Sequence, residues 1–133
     1  MNALWLVGLV FLATPADKEP EATASKAALA WLQLVDTGQY GASWDQAAPF
    51  FQKAITKENW QKAVQTARAP LGKFISRKQT SAQYTQSLPG APDGKYVVVL
   101  FASVFENKKE AVESVTPMLA PDGQWRVSGY FIK

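Results

Sequence analysis

Gly123-Gln124-Trp125-Arg126-Val127-Ser128-Gly129-Tyr130-Phe131-Ile132-Lys133 decides the fold, because it closes a meander that begins at Gly94. Two turn signals punctuate that run, Glu106-Asn107-Lys108-Lys109 and Pro121-Asp122-Gly123. Asn and Gly tolerate the positive φ of tight hairpins, so both stretches suit antiparallel connections. The strands they delimit are Tyr96 to Phe105, apolar on both parities, and Glu110 to Leu119, where Pro117 cannot donate to a ladder and predicts a bulge or an outward-turned edge. In the last strand simple alternation sets Trp125, Val127, Gly129 and Phe131 on one face, and Arg126, Ser128, Tyr130 and Ile132 on the other. Upstream, Lys73 to about Ser87 reads as a long, half-exposed first strand whose basic, hydroxyl-rich composition suits edge protection, with an acidic polymer or a partner strand at its edge as the alternatives.

The remainder is helical. Ala24, Ala28, Trp31, Leu32 and Val35 recur at steps of three and four and predict a helix from about Thr23 to Asp36, with Gly38 as its C-terminal cap. A short helix through Tyr40, Trp44 and Ala47 stops at Pro49, and Phe50 to Ile55 forms another apolar turn. Thr56 caps a further helix from Lys57 to about Ala69, with Trp60, Ala63, Val64 and Ala67 inward. Helices followed by a meander give an α+β class, N-terminal helices packed on a four-stranded antiparallel sheet. Trp31, Trp44, Phe51, Trp60, Phe101, Trp125 and Phe131 are the expected filling between the layers.

A length of 133 residues, 47% of them hydrophobic, suits one core. Before it, Leu4 to Ala13 is an uncharged apolar run, too short to cross a bilayer as a helix and the right length for a signal-peptide core. Thr14-Pro15-Ala16 supplies the small residues a signal peptidase reads. The expected division is therefore residues 1–16 as signal peptide or apolar leader, 17–22 as a polar linker and 23–133 as one domain, periplasmic or secreted, with no stable membrane span after cleavage.

Residue types that are missing exclude chemistry. The chain has no Cys and no His, which removes disulfides, thiol nucleophiles, imidazole bases and zinc sites of ordinary composition. Glu106, Glu110 and Glu113 lack the loop pattern of a calcium site, so no metal or cofactor is expected. The net charge of +3 is scattered, which argues against nucleic acid as a partner.

Among the remaining groups, Asp45 is the carboxylate to weigh first for proton transfer, since it follows Trp44 on a short helix that can tilt toward a pocket mouth. Asp36 reads as a helix-end residue. Tyr84, Tyr96 and Tyr130, with Trp44, are candidates to line a ligand site on the concave face. Arg126 faces solvent or pairs with a neighbouring-strand acid such as Glu113.

The block Trp31-Leu32-Gln33-Leu34-Val35-Asp36-Thr37-Gly38-Gln39-Tyr40 with Ser43-Trp44, and the ending Asp122-Gly123-Gln124-Trp125-Arg126-Val127-Ser128-Gly129-Tyr130, resemble the bacterial family called domain of unknown function 4019. The likeness covers about Ala24 to Lys133. It implies a small exported protein without an assigned activity, built like a cystatin-like or nuclear-transport-factor-2-like roll. Three functions are open: a non-catalytic module of the cell envelope binding a small molecule or an envelope protein; an isomerase or dehydratase using a pocket carboxylate; and a homodimer formed through the outer sheet face, carrying Ile132 and Tyr130.

Overall fold

The computed structural model describes residues 15–133, so the apolar run Leu4 to Ala13 lies outside the described residues. Among the described residues four α-helices precede the sheet: α1 (Pro15–Asp36), α2 (Tyr40–Asp45), α3 (Pro49–Ala54) and α4 (Lys57–Arg68), the last followed by a 3₁₀ turn at Ala69–Leu71. Strands β1 (Phe74–Thr85), β2 (Tyr96–Phe105), β3 (Lys108–Leu119) and β4 (Trp125–Ile132) form one antiparallel sheet in the order β1-β2-β3-β4. The α+β class and the meander stand as the sequence predicts.

Helix α1 is longer than expected. Residues 17–22, read as a polar linker, are helical despite Pro20. Tertiary anchoring overrides the local break: the Glu21 carboxylate accepts from the backbone N–H of Tyr84 at 3.0 Å. The other end follows the sequence closely. Gly38 adopts φ 79°, its N–H reaches the Val35 carbonyl at 3.1 Å, and the Gln39 N–H reaches Leu34 at 2.8 Å, a Schellman closure. Thr56 caps α4 as its hydroxyl accepts from the Asn59 N–H at 3.2 Å.

The sheet departs from simple alternation at bulges. In β1 the register jumps between Phe74 and Ser76 and between Gln79 and Ser81, so Ile75 and Thr80 are extra residues and the inward side changes parity twice. Phe74, Arg77 and Gln79 thereby face Phe105, Ser103 and Phe101. The bulge expected at Pro117 is present, with Thr116 opposite Gly129 and Pro117 opposite Val127, and the extra residue is Ser128 of β4. That insertion corrects the assignment of the last strand. Val127 and Tyr130 both face the helices, while Phe131 is 63% exposed instead of filling the core. The outer-face pair Ile132 and Tyr130 is likewise corrected, since Tyr130 packs on Trp31 and Ile132 stands opposite inward-facing Glu113. Asn107 needs no positive φ in its turn; its N–H instead donates to Leu71 at 2.8 Å.

The space between the layers is filled. Trp60 lies 5.9 Å from Trp31, 5.0 Å from Phe51 and 6.3 Å from Tyr130, centroid to centroid. Val97, Val99, Phe101, Val115 and Val127 close the sheet side of this core. Ser43 fixes the rings, as its carbonyl accepts from Trp31 Nε1 and its hydroxyl from Trp60 Nε1, both at 2.8 Å.

Candidate functional site

Beside the aromatic core lies a buried cluster of charge. Helix α4 presents Trp60, Val64 and Arg68 on one stripe, and β3 presents Ala111, Glu113 and Val115 on one parity, so a cation and an anion sit where their neighbours are apolar. The β1 bulges turn Arg77 to the same side, and Asp36 arrives from the last turn of α1. Glu113 is completely buried. Its Oε1 accepts from Ser103 Oγ at 2.6 Å and from Arg77 Nε and Nη2 at 3.0 and 2.7 Å, while Oε2 accepts from the Tyr130 hydroxyl. Asp36 bridges the two cations: Oδ1 accepts from Arg68 Nη2 at 2.8 Å and Oδ2 from Arg77 Nη1 at 2.7 Å.

Two guanidinium groups and two carboxylates cancel, which is the condition under which such charges tolerate burial. Each guanidinium also lies over a ring, Arg77 over Phe74 at 4.1 Å and Arg68 over Phe105 at 4.7 Å. Burial opposes the charge on both arginines, yet the Asp36 hydrogen bonds, with Glu113, hold their pKa values above the ordinary one. Burial first, and the Glu113 charge second, push the Tyr130 phenol far up. Glu113 Oε1 accepts from three donor atoms and Oε2 from one, and the complete burial of Glu113 keeps the carboxylate from being presented to a substrate. Among the described residues one buried side-chain atom lacks a hydrogen bond, Arg68 Nη1, 3.9 Å from Glu113 Oε2.

The raised tyrosine has a measurable consequence. The folded state keeps Tyr130 protonated where the unfolded chain ionises it, so its contribution is complete below pH ~10 and is lost as pH rises beyond that. Tyr130→Phe is expected to flatten the fall in stability between pH ~9 and ~11, read from urea midpoints at the two values. Parallel declines in variant and wild type would disprove the coupling.

The structure does not gather the residues that the sequence nominated. Asp45 is half exposed and pairs with Lys57 Nζ at 3.1 Å. Trp44 donates through Nε1 to the Ile55 carbonyl at 2.9 Å and braces α2 against the turn before α4. Tyr84 lines a cleft of about 620 Å³ between the start of α1 and the sheet, with Asp17, Glu19, Lys95 and Trp125. Tyr96 is fully buried under the 86–94 loop, its hydroxyl donating to Pro92 at 2.5 Å, and burial together with Asp93 raises its pKa. Only Tyr130 enters the charge cluster. Arg126 meets Asp122 rather than Glu113, at 2.8 Å, and that contact first, with the Gln124 N–H second, lowers the Asp122 pKa.

A groove of about 410 Å³ runs between α1 and β4, floored by Ala27, Ala30 and Leu34 and walled by Trp31 and Trp125. Gln46, Gln124 and Arg126 supply its polar rim. Arg126 Nη1 makes only long contacts there, 3.3 Å to the Gln46 carbonyl and 3.5 Å to its Oε1, while Nε and Nη2 are held by Asp122.

Residues 27–130 match the family described as "Protein of unknown function (DUF4019)". The chain belongs to this family. No curated protein and no solved structure matches it. The DUF4019 match begins at the first alanine of the groove and ends at Tyr130 of the cluster, so it spans both features. Arg68 and Glu113 were the signals available in the sequence, each a charge set on an otherwise apolar stripe. Arg77 gave none, because its direction depends on the β1 bulges.

Proposed function

We propose that the protein is an exported, non-catalytic binding module of the cell envelope that takes an uncharged or weakly polar small molecule in the α1–β4 groove. The groove carries the reading: its volume falls within the range of small-molecule sites, its walls are alanine and tryptophan, and a few polar groups converge at one rim. Arg126 is already neutralised by Asp122, so the rim offers a hydrogen bond from Nη1 without a net charge to be matched. A catalytic reading through Asp45 has less support, because that carboxylate pairs with Lys57 at the surface and the interior is occupied by rings. Export rests on the apolar run Leu4 to Ala13 followed by Thr14-Pro15-Ala16.

The test uses the fluorescent amphiphile 1-anilinonaphthalene-8-sulfonate and an uncharged naphthylamine analogue. Both are expected to quench tryptophan emission through Trp31 and Trp125, and Ala30→Phe, at an exposed helix position that fills the groove, is expected to weaken both at least ~10-fold, or ~1.4 kcal/mol. Binding that is unchanged in Ala30→Phe would place the ligand elsewhere. An intact N-terminus in protein recovered from the envelope would refute export.

A further inference from the structure

A second cavity adjoins the α1–β4 groove, and the two lie in line along one helix. The stripe Ala16, Pro20, Thr23, Ala27, Ala30 and Leu34 recurs at alternating steps of four and three, so one uncharged face of α1 borders both. Its first half, Ala16 to Thr23, lines the cleft of about 620 Å³, and its second half, Ala27 to Leu34, floors the groove of about 410 Å³. Thr23 and Ala27 are about 6 Å apart along the helix axis, and the whole stripe spans about 27 Å. Trp125 borders both cavities and forms the neck between them.

Trp125 differs from the tryptophans of the core. Trp31 and Trp60 donate their indole N–H groups to Ser43, and Trp44 donates to Ile55. Trp125 is only partly buried, and its indole N–H donates to no protein group among the described residues. Buried tryptophans ordinarily find a partner for that N–H. Here the donor is left for a bound molecule.

The cleft is polar where the groove is not. Thr23, Tyr84 and Gln86 line it together with Asp17, Glu19 and Lys95. The Tyr84 hydroxyl accepts from Gln86 Nε2 at 3.2 Å, which leaves its own proton to donate. Charges of both signs share this wall, and export would add the amino terminus of Asp17 as a second cation. A headgroup with net charge would therefore be repelled by one side while it was drawn by the other. A hydroxyl both donates and accepts, so it satisfies carboxylate, amide and ammonium alike. The rings of Tyr84 and Trp125 supply apolar surface for the carbon skeleton that carries such hydroxyls.

We propose that the two cavities take one elongated amphiphile, its apolar chain in the groove and an uncharged polyhydroxylated head, such as a sugar, in the cleft, with Trp125 Nε1 donating to it at the neck. This deepens the groove reading and rests on it.

Four probes that share an octyl chain test the head: octyl glucoside, octyl sulfate, octyltrimethylammonium and 1-octanol. Each is titrated calorimetrically into the purified full chain, below its critical micelle concentration, with thermal melts to confirm that each variant folds. The glucoside is expected to bind at least ~10-fold more tightly than 1-octanol, the equivalent of a few net hydrogen bonds, and more tightly than either charged probe. Thr23→Phe, at an exposed helix position facing the cleft, is expected to abolish the advantage of the glucoside and leave 1-octanol unchanged. Trp125→Phe keeps an aromatic wall without the N–H, and is expected to weaken the glucoside ~3–10-fold with 1-octanol little altered. Ala30→Phe should weaken all four. A glucoside that binds no better than 1-octanol, or worse than a charged probe, would overturn the proposal and leave the groove reading standing. Octyl probes that are insensitive to Ala30→Phe would overturn both.

Discussion

Glu113→Ala is expected to lower the unfolding free energy by about 3–5 kcal/mol, because it leaves Arg77 buried beside an empty site and strips the Tyr130 and Ser103 hydroxyls of their acceptor. The whole cluster contributes much less than that figure suggests. Desolvating four charged groups nearly offsets their attraction, and the large loss arises from breaking the balance. Arg77→Leu alone should be similarly damaging, since it strands Glu113 and half of Asp36. The double variant Glu113→Ala with Arg77→Leu removes one charge of each sign and leaves Asp36 with Arg68. It should therefore be more stable than the sum of the single losses by about 1–3 kcal/mol. Urea unfolding of all four proteins, followed by far-UV circular dichroism, measures the coupling; simple additivity would show that the cluster does not act as a unit.

How much of this was legible in the sequence follows from where each signal resides. The meander was legible because turn residues and apolar runs are local, and so was the α1 cap, because Gly38 supplies the one conformation its closure requires. Face assignments in β1 and β4 were not. Each depends on a single inserted residue, Ile75, Thr80 or Ser128, and one insertion reverses every side chain beyond it. Pro117 announced its bulge, but the extra residue falls on the partner strand, so the consequence for Tyr130 and Phe131 could not be read from β3. The helical state of residues 17–22 was hidden for another reason. Pro20 argues against a helix locally, while the contact that holds one, Glu21 on the Tyr84 N–H, spans 63 positions. The charge cluster was partly visible, in Arg68 on the Trp60-Val64 stripe and Glu113 between Ala111 and Val115. The groove was not visible at all, since alanines on a helix announce a close approach and an open floor equally well.

Trp60→Ala is the second large effect, and it tests whether the concave face of this fold can be hollow. Trp60 touches Trp31, Phe51 and Tyr130 and donates its indole N–H to Ser43 Oγ, so truncation removes the centre of the ring cluster and the group that ties α4 to α2. The expected loss is about 3–5 kcal/mol, from transfer free energy and the cavity left behind. Trp60→Phe should cost less, because most of the volume stays and the Ser43 hydroxyl keeps its bond to the Tyr40 carbonyl at 2.6 Å. If the vacated space remains open, indole should refill it and raise the urea midpoint of Trp60→Ala without affecting wild type, by about 2.7 kcal/mol when present at a hundred times its dissociation constant. Rescue would show that the scaffold holds its shape around an empty interior. A variant that collapses and ignores indole would mean that the rings themselves define the space between helices and sheet, and that binding in this chain is confined to its surface grooves.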